Sequence, residues 1–196
     1  MRKNILFISV CVFTAFFIFL QLNCSQKKEM SNDELVARGK YLATIGGCND
    51  CHSPKIMTQM GPVPDTTRLL SGYPASLPIL PVDTSLIAPG KWILTNDETN
   101  IWVGTWGISF SANITPDSAT GIGAWTLDNF TAAMRTGKHL GTGRMILPPM
   151  PWQSIGLLND EDLKALFTYL QSIPAINNRV PNPIPPNMIV HNPTKK

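Results

Sequence analysis

Five consecutive residues, CNDCH from Cys48 to His52, carry side chains whose types and spacing can do chemistry together. Two cysteines separated by two residues and followed at once by a histidine form the attachment signature of a c-type haem. Each thiol adds across one vinyl group of the porphyrin, and two intervening residues let both sulfurs reach neighbouring vinyls. The next side chain, His52, is then held beneath the iron as its proximal ligand. Other uses of a CxxC pair fit less well. A thioredoxin-like pair needs a βαβ context and a low-pKa thiol at a helix start; the Pro- and Gly-rich sequence after His52 offers neither. A zinc site needs a second pair of ligands. Of the four cysteines, Cys11 lies inside an apolar N-terminal run and Cys24 just beyond its end. The body therefore holds only Cys48 and Cys51, which is no disulfide framework. One motif implies one covalently bound haem c.

An iron held in this way takes its sixth ligand from far along the chain. The candidates beyond residue 24 are His139, His191, Met30, Met57, Met60, Met134, Met145, Met150 and Met188. Met134 falls on an apolar helix face, Met30 and Met188 in flanking segments, and His139 in a GKHLGTG turn. Met150 stands in LPPMPW. Prolines on both sides fix φ and deny the backbone a helix, so a stiff loop presents the thioether in one orientation. Met150 is the expected distal ligand, with Met145 and His139 as the alternatives.

These residues need elements to position them. Ser31 opens a first helix through a capping box, SNDE, and the helix runs towards Ile45 until Gly46 and Gly47 end it. It delivers the chain directly to Cys48. Thr126 caps a second helix, Leu127 to Thr136, stopped by Gly137. Asn159 caps a third, from Asp160 to about Ser172, with Leu163, Leu166, Phe167 and Leu170 at helical spacing. Residues 53–111 are rich in proline and glycine; KWIL and NIWVGTW there are candidate short strands. A helix directly before CxxCH and another near the C-terminus are the frame of a class I cytochrome c, whose first and last helices cross closely over one haem edge. Gly39 or Gly46 is expected to allow the approach, and Tyr41 to meet Phe167 or Tyr169. The expected fold is mainly α, a class I cytochrome c-like fold with a long Pro/Gly-rich insert between the haem motif and the second helix.

The N-terminus addresses the chain. Arg2 and Lys3 precede an apolar run from Ile5 to Leu20, which reads as a secretory signal. LQLNCSQKK places Cys24 where a lipoprotein signal peptidase would cut, although Gln21 and Asn23 depart from the usual lipobox. A diacylated Cys24 would anchor the protein; an uncleaved signal anchor and simple secretion are the alternatives. All three put the body outside the cytoplasm. The expected organisation is a signal segment over 1–23, a tether over 24–30, a cytochrome domain over 31–175 and a Pro-rich tail over 176–196. Losing residues 1–23 lowers the formal net charge from +3 to +1, which gives no electrostatic case for nucleic acid.

The stretch SFSANITPDSATGIGAWTLDNFTAAMRTGKHLGTGRMILPPMPW, followed by LNDEDLKALFTYLQSIPAINNRVP, resembles a bacterial cytochrome c family of mono- and dihaem electron carriers. Its members show a CxxCH after an RG-x-YL helix, a long insert, an AN-[IL]-TPD-x-x-TGIG-x-W stretch and an axial Met in P-x-MP. The resemblance covers roughly residues 35–181. Relatives include haem subunits serving membrane-bound alcohol, aldehyde or gluconate dehydrogenases; those often carry three haems, and this chain has one motif. The resemblance implies Cys48, Cys51, His52 and Met150 as haem ligands, and Asn113, Thr115 and Pro116 as neighbours of the haem edge.

Together these readings imply an extracytoplasmic monohaem electron carrier with no catalytic residues. It would work between redox donor and acceptor proteins, alone or as a subunit of a dehydrogenase or oxidase complex, and need no small-molecule substrate. The rival readings are a haem enzyme, peroxidase-like or thiol-oxidising, and a haem-based ligand sensor. Both need an open distal site.

Overall fold

The computed structural model describes residues 29–189. Contacts divide the chain into an N-terminal unit ending at Ser31 and a body beginning at Asn32. Of the first unit, only the coil residues 29–31 are described. The signal segment, Cys24 and His191 lie outside the described residues.

Among its described residues the body has five α-helices: α1 (Asn32–Ile45), α2 (Cys48–His52), α3 (Leu127–Thr136), α4 (Trp152–Ile155) and α5 (Asp160–Ser172). In α1, Leu35, Gly39, Leu42 and Ala43 are buried, the i, i+4, i+7, i+8 stripe of an amphipathic helix. Gly47 ends this run by adopting φ 64° and serves as the N-cap of α2; an L side chain rarely takes that backbone conformation. The helix α3 starts with a full capping box, Thr126 and Asn129 each bonding the other's backbone, and closes on Gly137. Asn159 caps α5 by accepting from the Asp162 amide.

The first and last long helices pack closely, and Gly39 is the point of closest approach. A Cβ there would run into the Ala165 carbonyl oxygen and stand 2.6 Å from Tyr169 Cβ. A larger residue there would have to push these backbones apart. The expected aromatic contact at Tyr41 is not the one formed. Tyr41 is 54% exposed and lies under the Arg38 guanidinium. Phe130 of α3 instead meets Phe167 of α5, with ring centroids 5.3 Å apart. Position on the helix explains this, since Phe167 points towards α3 and Tyr41 lies off the buried stripe of α1.

Between α2 and α3 the chain forms two antiparallel sheets. One is a hairpin of β1 (Lys55–Thr58) and β2 (Gly61–Pro64). The other orders β3 (Leu94–Thr95), β4 (Ile101–Gly104) and β5 (Gly107–Phe110) in sequence. Tyr73, Ile101, Val103 and Ile108 form a buried cluster here, joined by Val180, Ile184 and Ile189 from beyond α5. The proline-rich C-terminal segment, set apart from the domain on composition, is thus tied to it up to residue 189. Ile184 exchanges backbone hydrogen bonds with Ile108. Its prolines allow only a single 3-10 turn, Pro186–Met188, but they leave apolar neighbours free to pack.

Candidate haem-attachment site

Helix α2 places Cys48 and Cys51 three residues apart, which on a helix is the same side. Both are half-buried and unbridged. Burial pushes the Cys48 thiol up to about 11, with the Asp50 carboxylate adding to the shift. Burial also raises Cys51, against an opposing pull from the Lys55 ammonium. These are neutral thiols rather than the thiolates of a disulfide exchanger. Among the described residues, no group of three or more His, Cys, Asp or Glu side chains could hold a metal ion as a cluster.

His52 closes the same helix and is buried, with 9% of its surface exposed. Its Nδ1 lies 2.7 Å from the Ala112 carbonyl oxygen. A carbonyl only accepts, so Nδ1 carries the hydrogen and Nε2 keeps the lone pair. Burial lowers the proton affinity of the ring and keeps it neutral. The backbone around it is fixed as well. The His52 carbonyl accepts from the Gly72 amide at 2.7 Å. Ser53 Oγ donates to Asn49 Oδ1 and accepts from the Leu70 amide. A pair of alkylatable thiols and an adjacent imidazole with its accepting nitrogen defined fit a covalently attached haem.

Met150 lies on a different element, the loop between α3 and α4, and is half-buried. Its loop is pinned at two places. The Pro148 carbonyl accepts from Ser109 Oγ at 2.6 Å, and that hydroxyl accepts from Trp106 Nε1 at 3.2 Å. Further back, the Ile146 amide donates to the Gly137 carbonyl at 2.7 Å. Of the alternatives, Met145 is 48% exposed. His139 is exposed, its ring set edge-on to Trp125. Met134 is core, at 7% exposure.

Asn113 is buried, next to the residue that holds His52. Its polar atoms are committed to protein partners. Oδ1 accepts from the Thr115 amide and hydroxyl; Nδ2 donates to Thr120 Oγ1 and to the Ile176 carbonyl. These bonds make Asn113 a clamp between its loop and the C-terminal segment. Sequence reasoning missed three participants: the Ala112 carbonyl, Ser109 and Asn178. The first is backbone and has no residue-type signature. The other two lie far in sequence from what they hold.

No protein-family model matches the chain. Curated relatives do. The gluconate 2-dehydrogenase cytochrome c subunit of Pantoea cypripedii is 35% identical over 141 residues, 72% of this chain. The cytochrome c subunit of a quinone alcohol dehydrogenase from Gluconacetobacter polyoxogenes is 40% identical over 139 residues, 71% of the chain. The fructose dehydrogenase cytochrome subunit of Gluconobacter japonicus is 29% identical over 137 residues, 70% of the chain. The aligned part is 24%, 22% and 21% of these three relatives, so the chain spans under a quarter of their length.

Proposed function

Since its homologues are cytochrome c subunits of dehydrogenases, we propose that this chain is a monohaem c-type cytochrome that passes single electrons between a donor and an acceptor protein. Cys48 and Cys51 hold the porphyrin through thioethers, His52 Nε2 is the proximal ligand, and Met150 is the distal one. When bound, the group would supply a one-electron couple, and a soft thioether ligand from Met150 would raise its reduction potential. The chain's part is to hold both ligands rigidly, so that little rearrangement accompanies the change of charge. The observation that carries this reading is the His52 ring, buried and turned so that Nδ1 donates to the Ala112 carbonyl and Nε2 keeps its lone pair.

The segment between His52 and α3 is the long insert of the class I frame, and its β4–β5 hairpin supports the Met150 loop through Ser109. The protein works on the extracytoplasmic face, held by a lipidated Cys24 at the end of a cleaved signal. No described helix is long and apolar enough to cross a membrane. A partner dehydrogenase or oxidase supplies or accepts the electrons, and the chain itself binds no small substrate.

Mass measurement of the denatured chain tests the attachment. Wild type is expected to carry one haem that survives acid–acetone extraction, and Cys48→Ser/Cys51→Ser to carry none. Haem released from the wild type by extraction sinks the reading. The same spectra examine the N-terminus, where a modified Cys24 with no residue before it is the expected species.

A further inference from the structure

We propose that the Lys55 ammonium is a fixed positive charge that positions the thiol-bearing helix and raises the reduction potential of the group attached to it. The inference rests on the haem reading above. Lys40 and Lys138 are exposed, as solvated charges should be, but Lys55 is half-buried. Its Nζ donates to the Asp50 carbonyl at 2.5 Å, the Glu98 carbonyl at 2.6 Å and Thr99 Oγ1 at 3.2 Å. An ammonium has three donors, and here all three are used. Asp50 lies between the two cysteines, so Lys55 staples α2 to the turn before β4.

The acceptors are carbonyls and a hydroxyl. Among the described residues no ion pair involves Lys55 Nζ. The Glu98 carboxylate accepts from the Lys55 backbone amide at 3.4 Å and from Asn100 Nδ2 at 2.8 Å. The positive charge is therefore held in place without a carboxylate bonded to it. The Asp50 carbonyl that takes Nζ at 2.5 Å belongs to the peptide joining Asp50 to Cys51, so the ammonium sits one peptide away from that cysteine. Cys51 is the sulfur that becomes a thioether, so the field of the ammonium acts on the attached group over a short path. A fixed cation in a partly desolvated site favours the redox state of lower positive charge.

The turn that receives Lys55 is strained. Thr99 has φ 53°, a region that β-branched residues seldom enter. Its Oγ1 also donates to the Asp50 carbonyl at 2.6 Å, and its carbonyl accepts from Trp102 Nε1 at 3.2 Å. Such a conformation persists only where its surroundings over-determine it. Lys55 and Asp50 supply much of that determination.

Full-length, haem-loaded protein serves for the test, with covalent haem confirmed by mass before each redox titration. Lys55→Met is expected to retain its haem and its methionine–iron band while the reduced-to-oxidised ratio at fixed poise falls about tenfold, or about 59 mV for one electron. Lys55→Arg keeps the charge and should stay near wild type. Thr99→Val loosens the same turn without changing charge, so its thermal midpoint should fall and its potential should hold. If Lys55→Met does not accumulate, Lys55→Gln removes the charge and keeps a donor, with the same expected fall. A wild-type potential in the neutral variants overturns the inference, as does an equal shift in Thr99→Val or Lys55→Arg. Wild-type protein without covalent haem overturns the haem reading and this inference with it. Covalent haem with an unmoved potential overturns this inference alone.

Discussion

An imidazole ligates a metal through a nitrogen that has a free lone pair, and the Ala112 carbonyl leaves His52 only Nε2 for that purpose. The acceptor is backbone, so substitution at residue 112 does not remove it. This explains why the spacing in CNDCH suggests an attachment chemistry while the orientation of its histidine is not legible there. Covalent attachment demands a fixed spacing of particular side chains, whereas a carbonyl can come from any residue the fold brings near. The distal position is more open to test. Met150 is half-buried in a loop pinned by Ser109, and Met145 is 48% exposed. Met150→Ala is expected to abolish the near-infrared band of methionine-ligated ferric haem, lower the reduction potential, and admit carbon monoxide to the iron. Met145→Ala and His139→Ala should leave all three observations as in wild type. An unchanged spectrum in Met150→Ala would move the ligand to another residue. Ready carbon monoxide binding by wild type would favour the enzyme or sensor over the carrier.

Elements differ in how plainly the residues announce them. The bounds of α3 and α5 agree with their expected caps and stops because capping side chains and left-handed glycines act locally. The β1–β2 hairpin was missed, since KIMTQMGPVP carries two prolines and its strands are mostly exposed, leaving no clean alternation to read. The Trp152–Ile155 turn was missed as well, being too short for periodicity to register. The α1–α5 crossing was legible as an expectation of close approach, and the structure selects Gly39 over Gly46 as its centre. At Gly39 the neighbouring atoms include the rigid backbone of Ala165, so an added methyl must push the helices apart. Gly39→Ala should therefore cost about 1–3 kcal/mol by overpacking. A domain of this size loses roughly 2–4 °C in its unfolding midpoint per kcal/mol. Calorimetry that finds Gly39→Ala as stable as wild type would show that the helices cross elsewhere.

Across the whole molecule, the first half and the C-terminal segment are held together at Asn178. Its Nδ2 donates to the Ser71 carbonyl at 2.7 Å and the Tyr73 carbonyl at 2.9 Å, and its Oδ1 accepts from the Ala75 amide at 3.0 Å. Its own amide donates to Thr120 Oγ1, which also takes a bond from Asn113. The segment it grips contains Gly72, whose amide donates to the His52 carbonyl. One asparagine thus ties the chain end, the TPD loop and the segment behind the proximal histidine into one body. Composition pointed the other way, because a proline-rich stretch after the last helix reads as a tail. What holds it are side-chain to backbone bonds over a hundred residues apart in sequence, which no local pattern encodes. Asn178→Ala leaves the carbonyls of buried Ser71 and Tyr73 without this partner, a loss of about 1–3 kcal/mol for a buried group left unsatisfied. Hydrogen exchange should localise the damage, with the Gly72 and Tyr73 amides exchanging faster while those of α3 keep their protection. Uniform acceleration across the body would mean that Asn178 contributes only global stability. Unchanged exchange at Gly72 and Tyr73 would mean that the strap does not brace the histidine at all.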